Sequence, residues 1–146
     1  MYQQSLSTRR PKLDGLKSWN IGYCGDQAQY YATYPQSWTI YDLPGQNVKL
    51  TLNQLSPIIP NEYKDSSLPL ALFNWKIENL NDSDIELSLM FTWQSGSSSN
   101  KFDLCDVTSD SFDINENQNQ ATGVIIQQKL KKMDLEYCIS AKKTVI

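Results

Sequence analysis

The sixteen carboxylates of this chain are its main resource for acid–base chemistry, because histidine, the usual general base near neutral pH, is absent from all 146 residues. Two carboxylates about 5–5.5 Å apart can cleave a glycosidic bond with retention, one as nucleophile and one as acid/base. Glu62, Asp65, Glu78 and Glu86 are the candidates by position. Glu62 and Asp65 fall in a polar turn, while Glu78 and Glu86 fall on the solvent side of alternating segments. Each therefore reads as a surface carboxylate, and no catalytic residue is assigned. The missing histidine also removes Ser-His-Asp and Cys-His catalysis and His-ligated zinc. Cys24, Cys105 and Cys138 are too few and too dispersed for a four-thiolate zinc site. No phosphate-cradling glycine motif and no GxSxG nucleophile elbow occurs. Asp113-x-Asn115-x-Asn117 is similar to the opening of a calcium loop. Gln118 stands where that loop needs glycine and Val124 where it needs a bidentate glutamate, so no metal site is assigned.

Aromatic side chains supply the remaining binding chemistry. Tyr30, Tyr31, Tyr34, Trp38 and Tyr41 fall within twelve positions. Aromatic faces stack on pyranose rings, which makes these five the candidate carbohydrate-binding residues. Burial in a core or a domain interface explains the same cluster and is the favoured reading.

Bulk properties narrow the partners. The formal charge is −3 and the isoelectric point about 4.8. Nucleic-acid binding needs clustered Lys and Arg to neutralise phosphates. Here the basic residues form only short groups: Arg9-Arg10, Lys129 with Lys131-Lys132, and Lys142-Lys143. No apolar run approaches the roughly 20 residues of a membrane-spanning helix, and the first residues hold no apolar signal-like stretch. An odd number of separated cysteines fits reduced thiols better than a disulfide framework. Both features point to the cytosolic side.

The elements that would position these residues are strands. Apolar residues alternate wherever a period is clear. Residues 70–78 and 85–93 alternate on either side of the polar run Asn79-Leu80-Asn81-Asp82-Ser83, which predicts an antiparallel hairpin with one apolar face. On that face Trp75 and Trp93 are expected in the core. Shorter strands are predicted over 37–41 and 48–52, joined by Leu43-Pro44-Gly45-Gln46, with Gly45 free to take positive φ. Pro57, Pro60 and Pro69 mark a long connection. Residues 95–121, rich in Ser, Asn, Asp and Gln, read as one long flexible polar loop. Strands over 124–129 and 135–141 close the pattern, with a turn at Lys131-Lys132-Met133-Asp134. The expected fold is an all-β antiparallel sandwich occupying 1–146 as one domain.

The wording of the chain resembles a known family. Tyr34-Pro35, Trp38-Thr39, Leu43-Pro44-Gly45-Gln46-Asn47-Val48 and Asp65-Ser66-Ser67-Leu68-Pro69 carry the resemblance. Tyr2-Gln3-Gln4, Leu16-Lys17-Ser18-Trp19-Asn20, Cys24-Gly25, Glu78-Asn79 and Gly123 extend it along the chain. It is to the amino-terminal domain of the non-lysosomal glucosylceramidases, the bile-acid β-glucosidase family of glycoside hydrolases. The resemblance implies a β-sandwich, entered partway, that packs on a catalytic (α/α)-barrel absent from this chain. It further implies that the complete enzyme hydrolyses glucosylceramide to glucose and ceramide, without a cofactor, on the cytosolic face of intracellular membranes. This chain alone is expected to be inactive. The alternative is an autonomous carbohydrate- or glycolipid-binding, or protein-interaction, module.

Overall fold

A computed structural model describes residues 4–6, 22–23, 27–93, 104–116, 119–131 and 133–142. Two compact units divide the chain at residue 87. The described strands are β1 (Gln4–Ser5), β2 (Gly22–Tyr23), β3 (Ala28–Thr33), β4 (Gln36–Leu43), β5 (Val48–Leu55) and β6 (Leu72–Asn79) in the first unit. The second unit holds β7 (Leu104–Glu116), β8 (Asn119–Leu130) and β9 (Asp134–Lys142). One short helix, α1 (Tyr63–Ser66), lies between β5 and β6. The fold is all-β, with antiparallel four-stranded and three-stranded sheets and a small parallel β1–β2 pair, consistent with a β-sandwich.

In the four-stranded sheet the order is β3-β4-β5-β6. Its register sorts the side chains into two faces, because successive residues of a strand point opposite ways. One face carries the row Ala28–Tyr41–Leu50–Ile77 and the row Tyr30–Thr39–Leu52–Trp75. Tyr41, Leu43, Val48 and Leu50 are buried there and form the core, with Leu6, Ala28, Leu52, Trp75 and Leu87 packed against it. Tyr41 and Trp75 stack with ring centroids 6.2 Å apart. Burying each such aliphatic or aromatic side chain contributes about 2 kcal/mol.

The predicted strands over 37–41 and 48–52 fall within β4 and β5, each of which extends further. Their connection differs in one detail. Gln46 N–H donates to the Leu43 carbonyl at 3.0 Å, and the positive φ falls on Asn47 (49°), not on Gly45. Asparagine tolerates the left-handed region because its short polar side chain bonds locally. A second turn, Ile59-Pro60-Asn61-Glu62, is closed by Glu62 N–H on the Ile59 carbonyl at 3.1 Å, with Asn61 at φ 64°. Proline followed by a positive-φ residue is the type II arrangement. Pro57, Pro60 and Pro69 all lie in the connection between β5 and β6, as expected.

The predicted hairpin does not form. Its first arm is β6, but β6 pairs with β5, and residues 80–93 contain no strand. The polar run after β6 is tied back to the β4–β5 turn: Leu80 N–H donates to the Asn47 carbonyl at 2.8 Å, and Asn81 Nδ2 donates to the Gln46 and Asn47 carbonyls at 3.0 and 3.3 Å. Asn81 N–H also donates to Asn79 Oδ1 at 3.0 Å. Such local side-chain bonds compete with a ladder. Trp93, expected in the core, is 56% exposed; it stacks on Phe91 and tilts against Tyr137 at 6.0 Å. Trp75 is half-buried against the core.

The second correction concerns the polar segment 95–121. Its described part is strand: β7 runs thirteen residues and β8 begins at Asn119. Residues 94–103 and 117–118 lie outside the described set. Pairing with β8 along its length, not hydrophobicity, makes β7 a strand. The final pair is as predicted, with β8 and β9 antiparallel and Leu130 N–H closing the turn on the Met133 carbonyl at 3.0 Å.

Candidate functional site

The four candidate carboxylates are spread over three settings. Glu62 and Asp65 are exposed, at the start and inside of α1. Glu78 lies on β6 opposite Lys49 and pairs with Lys76 at 3.2 Å. Glu86 is exposed in the strandless segment after β6. Of the four, only Glu78 lies in a paired strand, and its register partner is Lys49. Asp113 and Asn115 sit in the extended β7, and Asn117 and Gln118 lie outside the described residues. Among the described residues no group of three or more His, Cys, Asp or Glu is gathered. Cys138 is a free, exposed thiol.

The five candidate aromatics are separated by the register. Tyr41 is core. Tyr30 shares that face but is 65% exposed. Tyr34 is 81% exposed at the turn between β3 and β4, where the Tyr34–Pro35 peptide is cis. Tyr31 and Trp38 are direct cross-strand partners on the opposite, polar face. The register continues their row to Asn53 and Asn74. Sequence reasoning missed these two asparagines. Their even spacing with the polar positions of β5 and β6 was available as a signal, but which strand lay beside which was not.

The polar face is electrically balanced. Asp42, Lys49 and Glu78 align across β4, β5 and β6, and Lys76 lies one row away. Two carboxylates face two ammonium groups, and the Tyr31–Asn74 row carries no charge. Within this region Tyr31 O–H donates to Gln29 Oε1 at 3.1 Å, and Asn53 Nδ2 donates to Gln36 Oε1 at 3.3 Å and to the Ser37 carbonyl at 3.4 Å.

In the second unit a shallow concavity of about 400 Å³ is lined by Phe112, Ile114, Ile125, Glu136, Tyr137 and Cys138. Gln127 Nε2 donates to Glu136 Oε2 at 3.0 Å and holds that carboxylate. Phe112 lies over Gly123, its cross-strand partner; a Cβ there would approach the ring at 2.7 Å and the Ile139 carbonyl at 2.6 Å.

Residues 1–145 match the family model described as beta-glucosidase 2, glycosyl-hydrolase family 116 N-term. The chain belongs to the glycosyl-hydrolase family 116 amino-terminal family, a non-catalytic part of a β-glucosidase.

Proposed function

We propose that this chain is the scaffold portion of a glucosylceramidase, supplying sheet surface on which a catalytic helical barrel packs. The family match over residues 1–145 is the observation that carries this reading. Apolar surface left open supports it: Phe73 and Ile77 on one face of the edge strand β6, and Leu68 and Leu70 before it, are all exposed. Contiguous exposed apolar side chains mark protein interfaces. In the complete enzyme the barrel supplies both carboxylates, and the β-glucosidic bond of glucosylceramide is hydrolysed with retention. The site of action is the cytosolic face of membranes, reached by peripheral association. No described helix is long and apolar enough to cross a bilayer.

Two measurements test the reading together. The purified chain is incubated with glucosylceramide and with an aryl β-glucoside; release of glucose by the chain alone would overturn it. The chain is then mixed with the helical barrel of a family 116 enzyme and followed by sedimentation velocity. A complex is expected, and independent sedimentation at high micromolar concentrations would refute the scaffold role.

A further inference from the structure

The polar face of the four-stranded sheet carries a second kind of surface. Tyr31 on β3, Trp38 on β4, Asn53 on β5 and Asn74 on β6 stand in one register row. Three inter-strand steps make the row roughly 15 Å long. Two aromatic rings therefore adjoin two primary amides on one strip of sheet, and Tyr31 is 55% exposed.

We propose that the row Tyr31–Trp38–Asn53–Asn74 is a binding site for a neutral pyranoside chain. A pyranose has an apolar face of C–H groups and a rim of hydroxyls that both donate and accept. The rings match the first: a Tyr or Trp presents a large flat apolar body with a polar tip. The amides match the second, since each carries two N–H donors and a carbonyl with two lone pairs. The bonds Asn53 makes to Gln36 Oε1 and the Ser37 carbonyl use part of that capacity and hold the side chain in place. Tyr31 gives its phenolic proton to Gln29, which leaves the phenol oxygen as an acceptor for a sugar hydroxyl. Side chains oriented before the ligand arrives reduce the ordering cost of binding.

Charge selects this occupant over others. The row is uncharged, and the ionic side chains elsewhere on the face are balanced, with Lys76 and Glu78 paired at 3.2 Å. A phosphate or sulfate ligand would find no unopposed cation beside the row. A protein partner prefers a core of large apolar anchors, and half of this row is amide. The site lies on the face opposite Phe73 and Ile77, the apolar residues of β6 that the scaffold reading above uses.

Cellotetraose, a neutral gluco-oligosaccharide, is titrated into the full isotope-labelled chain, and backbone, indole and side-chain amide resonances are followed by NMR. Saturable shifts of the Trp38 indole and the Asn53 and Asn74 amides are expected, with a Kd of about 1 mM. Tyr31→Ala should weaken binding about tenfold through the lost stacking face. Asn74→Ala should weaken it about fivefold through lost hydrogen bonds. Both positions are exposed, so both variants should melt as the parent does. Three outcomes would overturn the proposal: no saturable shift in the row, unaltered affinity in both variants, or row resonances that move on dilution without sugar, which would mark a contact between copies. Failure here leaves the barrel association and the missing glycosidase activity of the isolated chain as separate results.

Discussion

Gly123 offers the sharpest test of the second sheet. It sits on β8, the central strand, opposite Phe112 on β7 and Ser140 on β9. A Cβ at this position would lie 2.6 Å from the Ile139 carbonyl oxygen and 2.7 and 2.8 Å from two carbons of the Phe112 ring. The ring can swing away; the carbonyl belongs to the neighbouring ladder and can retreat only if β9 shifts. Overpacking a well-fitted site costs about 1–3 kcal/mol. Alanine also restricts the unfolded chain, which offsets about 0.4–1 kcal/mol of that. Gly123→Ala should therefore destabilise by about 1 kcal/mol net, with a melting temperature lower by about 2–4 °C for a chain of this size. Gly45→Ala is the matched control: its Cβ would meet nothing within 4 Å and its φ is not positive, so its melting point should hold or rise. Circular dichroism melts of the two variants give the comparison. Introducing Gly123→Ala into a Phe112→Ala background then separates ring from carbonyl, because close pairs couple by 0.5 kcal/mol or more. A Gly123→Ala protein that melts with the parent would refute the reasoning, and with it the close β7–β8–β9 register.

Further substitutions probe the first unit. Leu50 is 2% exposed at the centre of the core, so Leu50→Ala should cost about 3 kcal/mol, read from the midpoint of urea unfolding. Asn47 holds φ at 49°; Asn47→Ala should cost about 1–2 kcal/mol in the same assay, whereas Asn47→Gly should be close to neutral. Asn81 ties the chain leaving β6 to the Gln46 and Asn47 carbonyls, and Asn81→Ala should cost about 1 kcal/mol and speed amide exchange at Leu80.

Much of the strand pattern was legible because its causes are local. The alternation in β4, β5, β8 and β9 and the Pro44-Gly45 turn can be read from neighbouring residues. The errors share one cause: partner choice is not local. Residues 85–93 alternate well, yet β6 takes β5 as its neighbour and Asn81 ties the chain leaving β6 to the β4–β5 turn. Conversely, β7 looks like loop by composition, since Asp, Ser, Asn, Thr and Glu make up eight of its thirteen residues, and it becomes strand through its twelve-step ladder with β8. The site followed the same rule. Five aromatics close in sequence were spread over two faces and a turn by a period of two.

Sequence alone determined the all-β class, the lack of a histidine-based centre, and the family, because residue identities and short-range spacing carry those. The tertiary structure decided which aromatics share a surface. Tyr41 and Tyr30 went to the apolar face and Tyr31 and Trp38 to the polar one, where strands distant in the chain delivered Asn53 and Asn74 beside them. The physical reason is that backbone hydrogen bonds set register across strands, and register fixes which side chains meet.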